Sequence, residues 1–355
     1  MILLLDMDGT LIDDRGYRAA IDATIVEYCR RHDLPGFPPS DEDVHVLHAH
    51  GYSNEWDSVA FMLGVIHLET HAALHGRALA PGRPDYQAWT RKTAGQPGLP
   101  NERARAVLLA EAPAELHETI HALLDHVTDV SCSEVTRIFA EYILGSGAFT
   151  RHYNLSPALD TPSFLATLDR SLVDDGGKRV IRSHAACIYT ARPSLSPDGH
   201  PPSHPPEAEI GLELLGLKDL PLIALGQVQW LADQYGERVY DLTKPAPAQA
   251  LAAMLAAQGW RDLDALVAAY DLWRRGARAD DFASLHRQHI YVAEDNAGGV
   301  RACHAAARVL GEHRIEVTVH GLGIATASAK RDALEPVCEG LYTDVNLALA
   351  AVPEG

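Results

Sequence analysis

The chain alternates between short, continuously apolar runs and longer stretches in which apolar residues return every three or four positions. The short runs fall at 2–5, 185–189, 220–225, 289–293 and 315–319, bounded by polar, Gly or Pro residues and mostly followed by helical patterning. Strands this short and apolar throughout suit burial on both faces, as in parallel strands joined by crossover helices. The pattern predicts a doubly wound parallel α/β core of the Rossmann-like kind. Residues 16–159 read differently. Helical periodicity recurs at 17–31, 56–74, 102–111, 114–127 and 133–144, interrupted by the breakers LPGFPP and GQPGLP, and no strand stands out. The expected organisation is a discontinuous core, residues 1–14 plus 160–355, with a large all-helical domain, 15–159, inserted after the first strand. A Pro-rich loop at 196–206 and a helical insertion at about 262–287 are further irregularities, and no internal repeat is visible.

The segment LLLDMDGTLID carries the most chemistry. Asp6 leaves the carboxyl end of an apolar strand, where ligands bind in an open α/β sheet, and Asp8 follows two residues later. Alternation on an extended chain would point the two acids to opposite sides, but Gly9 and Thr10 favour a turn that swings Asp8 back over the same crevice. One carboxylate can then attack while the other handles protons.

DMDGTLID resembles the first motif of the haloacid dehalogenase superfamily, and three further motifs follow in the expected order. Thr190 in CIYTARPS is similar to the second, Lys244 in DLTKPAP to the third, and Glu294 with Asp295 in IYVAEDNAGGV to the fourth. The resemblance covers residues 1–14 and about 160–325. It implies that Asp6 attacks phosphorus to form a transient aspartyl phosphate, while Asp8 protonates the leaving oxygen and later activates water. It implies a magnesium ion held by Asp6, the backbone carbonyl of Asp8 and Asp295, with Glu294 assisting, an oxygen-rich set suited to Mg²⁺. Lys244 would neutralise Asp6 and phosphate oxygens, and Thr190 would donate a hydrogen bond to the phosphoryl group. Gly9, Thr10 and Arg192 are the expected substrate contacts, although Arg192 is equally placed to brace its loop. An acid two residues after the nucleophile suits phosphatases and mutases rather than halide-releasing relatives. The implied activity is hydrolysis of a small phosphorylated metabolite. A sugar phosphomutase using the same residues, or a non-catalytic binding protein on the same fold, are the alternatives. The inserted helical region resembles the cap that closes over the substrate in this superfamily.

Charge changes the picture in one respect. With 30 Lys and Arg against 48 Asp and Glu, the net charge of −18 disfavours nucleic acid and anionic membranes as partners, and an anionic substrate needs a local cation. No apolar run reaches membrane-spanning length. Five scattered cysteines without a CxxC pair fit a reducing cytoplasm, the expected location. Among the 19 histidines, His67, His71 and His75 would share one helix face. Read from sequence they suit a solvated face, since no carboxylate or cysteine is spaced to complete a metal site. HVLHAH at 45–50 is no better. The segment GSGAFTRHYN, 145–154, reads as a substrate-facing loop or as the connection back to the core.

Overall fold

A computed structural model describes residues 1–52, 54–76, 82–197, 200 and 204–353. Within the Pro-rich loop, positions 198, 199 and 201–203 lie outside the described residues. The chain divides into two compact units, Met1–Asp14 with Asp169–Gly355, and Arg15–Leu168.

The first unit is built on a six-stranded, wholly parallel sheet. Its strands are β1 (Ile2–Leu5), β4 (Ala185–Tyr189), β5 (Leu222–Ile223), β6 (His289–Glu294), β7 (Thr318–Ile324) and β8 (Gly340–Tyr342), in the order β5-β4-β1-β6-β7-β8. A separate antiparallel pair, β2 (Ile12–Asp13) with β3 (Arg170–Ser171), joins the two points where the chain leaves and re-enters this unit. Omitting that pair, the order is 3-2-1-4-5-6, the doubly wound arrangement expected from the sequence. The reason the strand runs are apolar at every position is visible in the packing. Ile2 and Leu4 enter one core layer with Val292 and Leu251, whereas Leu3 and Leu5 enter the opposite layer with Ile188 and Leu212. Both faces are covered by helices, so alternation would have left a polar residue in one of two cores.

Three expectations need correction here. The last apolar run, 315–319, overlaps only the start of β7, which continues through HGLGI to Ile324. Gly321 and Gly323 conceal the strand in sequence, yet they are required. A Cβ on Gly321 would sit 2.9 Å from Cys338 Cα, and one on Gly323 would meet Leu341 and Cys338. The second correction concerns the insertion boundary, which falls at 168/169 rather than 159/160. The short helix Phe164–Leu168 packs on helices Arg15–Arg31 and Glu134–Tyr153, and so belongs to the helical unit. Third, 145–154 is neither loop nor connection: after a kink at Gly145 the residues to Tyr153 form the second half of a helix, and Asn154 caps it.

The helical unit comprises α1 (Arg15–Arg31), α2 (Asp41–Ala49), α3 (Glu55–Leu74), α4 (Tyr86–Thr93), α5 (Pro100–Glu111), α6 (His117–Leu124), α7 (Glu134–Tyr153) and α8 (Phe164–Leu168). The central α3 packs against α1, α5, α6 and α7 and is almost continuously buried from Asp57 to Leu68. Helix α7 bends at Gly145, whose φ of 74° only glycine adopts easily, and where a Cβ would lie 2.8 Å from the carbonyl carbon of Pro162.

Candidate active site

The strand order reverses between β1 and its neighbours β4 and β6, and ligand crevices of open α/β sheets form outside the carboxyl ends of the strands at such a point. Asp6 follows β1 directly, Thr190 follows β4, and Glu294 closes β6 with Asp295 beyond it. Parallel register brings these ends level: Leu5 pairs with Ile188 on one side and Ala293 on the other. The Asp6 N–H donates to the Ala293 carbonyl at 3.1 Å, extending the ladder by one residue and fixing where the Asp6 side chain starts.

Carboxylate oxygens of Asp6, Glu294 and Asp295 lie within 4.8 Å of one another. Lys244 joins them: its Nζ donates to Asp6 Oδ1 at 2.8 Å and to Glu294 Oε1 at 2.6 Å, and sits 3.8 Å from the centre of the Tyr189 ring. Burial alone would push the ammonium toward neutrality, but the two carboxylates outweigh it and hold Lys244 protonated, above its ordinary value. With Lys330 on Asp295, two ammonium groups stand against three acids. Burial, then the nearby Asp6, push the Glu294 carboxyl above the carboxylate range, and burial raises Asp295 from its ordinary value despite an ion pair with Lys330. Room for Glu294 comes from Gly299, where a Cβ would overlap its carboxylate.

Asp8 is handled separately. Arg192, 2% exposed, donates from Nε to both Asp8 oxygens at 3.0 and 3.1 Å and from its terminal nitrogen to Asp8 and to Asp169, the latter at 3.1 Å. The guanidinium thus bridges Asp8 on one side and the buried Asp169 on the other. The turn that carries Asp8 closes through Gly9 N–H to the Ile12 carbonyl and through Leu11 and Ile12 N–H to the Met7 carbonyl. Gly9 sits at φ 68° with Asp295 packed against it, where a Cβ would collide with that carboxylate. Its N–H is thus used inside the turn, and the missing side chain leaves room for Asp295. Thr10 is wholly buried with its hydroxyl unpartnered. The Thr190 hydroxyl accepts from Arg192 N–H at 3.1 Å, and its carbonyl accepts from Gln249 at 2.7 Å.

The structure brings Asp6, Lys244, Glu294 and Asp295 into one cluster, sets Asp8 beside it on Arg192, and buries Thr10 under the turn. Three participants were not singled out from sequence: Asp169, Lys330 and Asp14. Asp14 is half-buried, and burial, followed by the nearby Asp8, pushes its carboxyl up to about 7. The doubled acid in LIDD was a visible signal for Asp14; nothing local marked the other two. Every donor in the cluster is a hard oxygen, and three carboxylates outnumber the two ammonium groups paired with them, a donor set of the kind that suits Mg²⁺.

No protein-family model matches the chain, and no curated protein does. Solved structures do. An X-ray structure of a Northeast Structural Genomics Consortium target is 14% identical, with a TM-score of 0.62 over 97% of this chain and 96% of that one. A phosphatase from Thermococcus thioreducens is 16% identical over 94% and 99% of the two chains, with a TM-score of 0.43. A hydrolase from Pseudomonas syringae is 12% identical over 98% and 96%, with a TM-score of 0.34. Only the first is close enough to carry weight, and at that identity it speaks for the fold alone. Together with the strand order, it shows a doubly wound parallel α/β fold with a helical unit inserted after the first strand of the sheet.

Proposed function

We propose that the chain is a magnesium-dependent phosphomonoester hydrolase acting on a small phosphorylated metabolite. The observation that carries this reading is the division of labour between two neighbouring carboxylates. Asp6 faces a largely buried ammonium and two further acids, whereas Asp8 is held by a buried guanidinium. That separation suits one acid to attack and the other to proton transfer.

In the first half-reaction an Asp6 carboxylate oxygen bonds to phosphorus as the ester P–O bond breaks, and Asp8 gives its proton to the leaving alkoxide. In the second, the Asp8 carboxylate takes a proton from water, whose oxygen bonds to phosphorus and releases phosphate and free Asp6. Lys244 holds the nucleophile and balances charge on the phosphoryl oxygens. Asp6, Asp295, Glu294 and the Asp8 carbonyl would hold the magnesium ion, which when bound supplies Lewis-acid neutralisation of the phosphate. Thr190 offers its hydroxyl to a phosphoryl oxygen from the end of β4.

The test is phosphate release from p-nitrophenyl phosphate and a panel of sugar and nucleotide monophosphates, with magnesium or with EDTA. Wild type should be active only with magnesium, and Asp6→Asn should lose about 10⁴-fold or more in kcat with an unchanged melting profile. Turnover that persists in Asp6→Asn would sink the mechanism.

A further inference from the structure

Among the described residues, two groups bring three metal-ligating side chains within reach of one point. One is the carboxylate cluster above. The other lies in the helical unit and consists of His71, His75 and Glu115, with one ligand atom of each inside 4.8 Å of the others. It plays no part in the proposed phosphoryl chemistry.

The three histidines that share a face of α3 in sequence separate in the structure. His67 is turned inward, where Tyr28 OH lies 3.1 Å from its Nε2, and burial lowers its basicity to about 4. His71 and His75 instead reach the surface one turn apart, their rings 4.1 Å between centroids and tilted by 35°. The carboxylate that sequence spacing did not supply arrives from a different element. Glu115 sits in the 3₁₀ turn Ala114–Leu116 that leads into α6, and its Oε1 lies 3.0 Å from His71 Nε2. The helices on either side are well anchored. Helix α3 is buried along most of its length and packs on α6, and the 3₁₀ turn packs on α6 as well. One ligand in the last turn of α3, a second four residues on at its C-cap and a third on a neighbouring element give a geometry that metal sites in helical proteins use.

We propose that His71, His75 and Glu115 form a binding site for a divalent transition-metal ion of the Zn²⁺ class, separate from the carboxylate cluster and independent of the phosphatase reading. The donor chemistry makes the distinction. Two imidazole nitrogens and one carboxylate oxygen suit Zn²⁺, which accepts three protein ligands and a water in a tetrahedral shell. The all-oxygen cluster suits Mg²⁺, for which imidazole is a poor ligand. Excess Mg²⁺ therefore competes for the all-oxygen cluster and leaves the imidazole-bearing site open to Zn²⁺. Bound Zn²⁺ would tie the end of α3 to the start of α6, replacing a solvated His–Glu pair with three coordinate bonds.

The experiment is calorimetric titration of the full chain with Zn²⁺ in excess Mg²⁺, for wild type, His75→Ala, Glu115→Gln and Asp295→Asn. Co²⁺ serves as a visible-absorbing substitute under the same conditions. Wild type and Asp295→Asn should bind one equivalent with similar affinity. Loss of an outer-shell partner alone typically weakens metal sites 10–100-fold, so removing His75 or Glu115 should weaken this one by roughly a hundredfold and abolish the Co²⁺ ligand-field band. Glu115→Gln is an exposed, isosteric change that leaves the fold untouched, so its result stands even if the histidine variant is unstable. Failure of wild type to bind Zn²⁺ in excess Mg²⁺ would overturn the proposal. So would binding that survives in both His75→Ala and Glu115→Gln, or that disappears only in Asp295→Asn.

Discussion

At the scale of single residues, the candidate site is organised by two cations with different jobs. Lys244 is a point charge between Asp6 and Glu294, and Arg192 is a planar fork between Asp8 and Asp169. A lysine does not imitate a fork. Arg192→Lys should therefore keep the charge but leave Asp8 free to rotate and Asp169 buried with an imperfect partner. The expected result is a kcat lowered by roughly 10²-fold, the size of a mispositioned general acid, with a much smaller change in KM. Steady-state kinetics on the best substrate from the panel measures both; a rise in KM at constant kcat would mean that Arg192 binds substrate instead of positioning Asp8. The residues readable from sequence at this scale were those on strand ends. Asp6, Thr190, Glu294 and Asp295 occupy short motifs whose spacing encodes their place at the sheet edge. Asp169 and Lys330 were unreadable, because each meets a partner 23 or 35 residues away, a separation that local spacing does not describe. Thr10 shows the opposite limit: it sits in the most specific motif, yet its hydroxyl is sealed beneath the turn.

At the scale of elements, the helices with long amphipathic stripes were legible and the short polar ones were not. Helix α2 carries only two buried residues, Asp43 and Leu47, but Ser40 and Asp43 form a reciprocal capping box at its start. That S-x-x-D signal was present in the sequence, masked by the Pro-rich breaker before it. Strand β7 was half missed because glycines demanded by close packing interrupt its apolar run. Helix α3 makes a testable liability of its own. Asp57, 8% exposed in the first turn, has its carboxyl pushed up to about 6 by burial alone. Below the ordinary carboxylate value both the folded and unfolded states are protonated and nothing is lost. Between there and pH 6 the unfolded chain ionises first, so Asp57 progressively destabilises the fold as pH rises. Above pH 6 the full penalty applies, on the order of 2–3 kcal/mol. Asp57→Asn should raise the melting temperature at pH 7 and leave it nearly unchanged at pH 4. Thermal melts of both proteins across that range give the difference directly, and a variant no more stable than wild type at pH 7 would refute the burial argument.

At the scale of the whole molecule, charge and topology act over longer distances than any contact. A net charge of −18 repels a phosphate monoester until it reaches the site, where Lys244 and Lys330, two of only five lysines, converge on the acids. Added salt screens the long-range repulsion more than the short-range attraction. The proposed enzyme should then show kcat/KM rising with ionic strength, by up to about tenfold, measurable by titrating KCl at fixed free magnesium. A falling kcat/KM would mean that local positive potential dominates the approach. Among the described residues no helix is long and apolar enough to cross a membrane. Strand order was legible only as a class: five apolar runs announce parallel strands, but not which neighbours they choose, since that depends on crossovers through residues far apart.

The paired strands β2 and β3 have one more consequence. The chain leaves the α/β unit and returns to it through two antiparallel neighbours, so the sheet sees the inserted helices as a loop whose ends are already closed. The entropy of closing a loop grows only with the logarithm of its length, about 0.6 kcal/mol per doubling. The insertion is therefore nearly free to lengthen. A lineage could add helices, histidines or an entire second ion site there, or strip them away, at almost no thermodynamic penalty to the scaffold that holds Asp6.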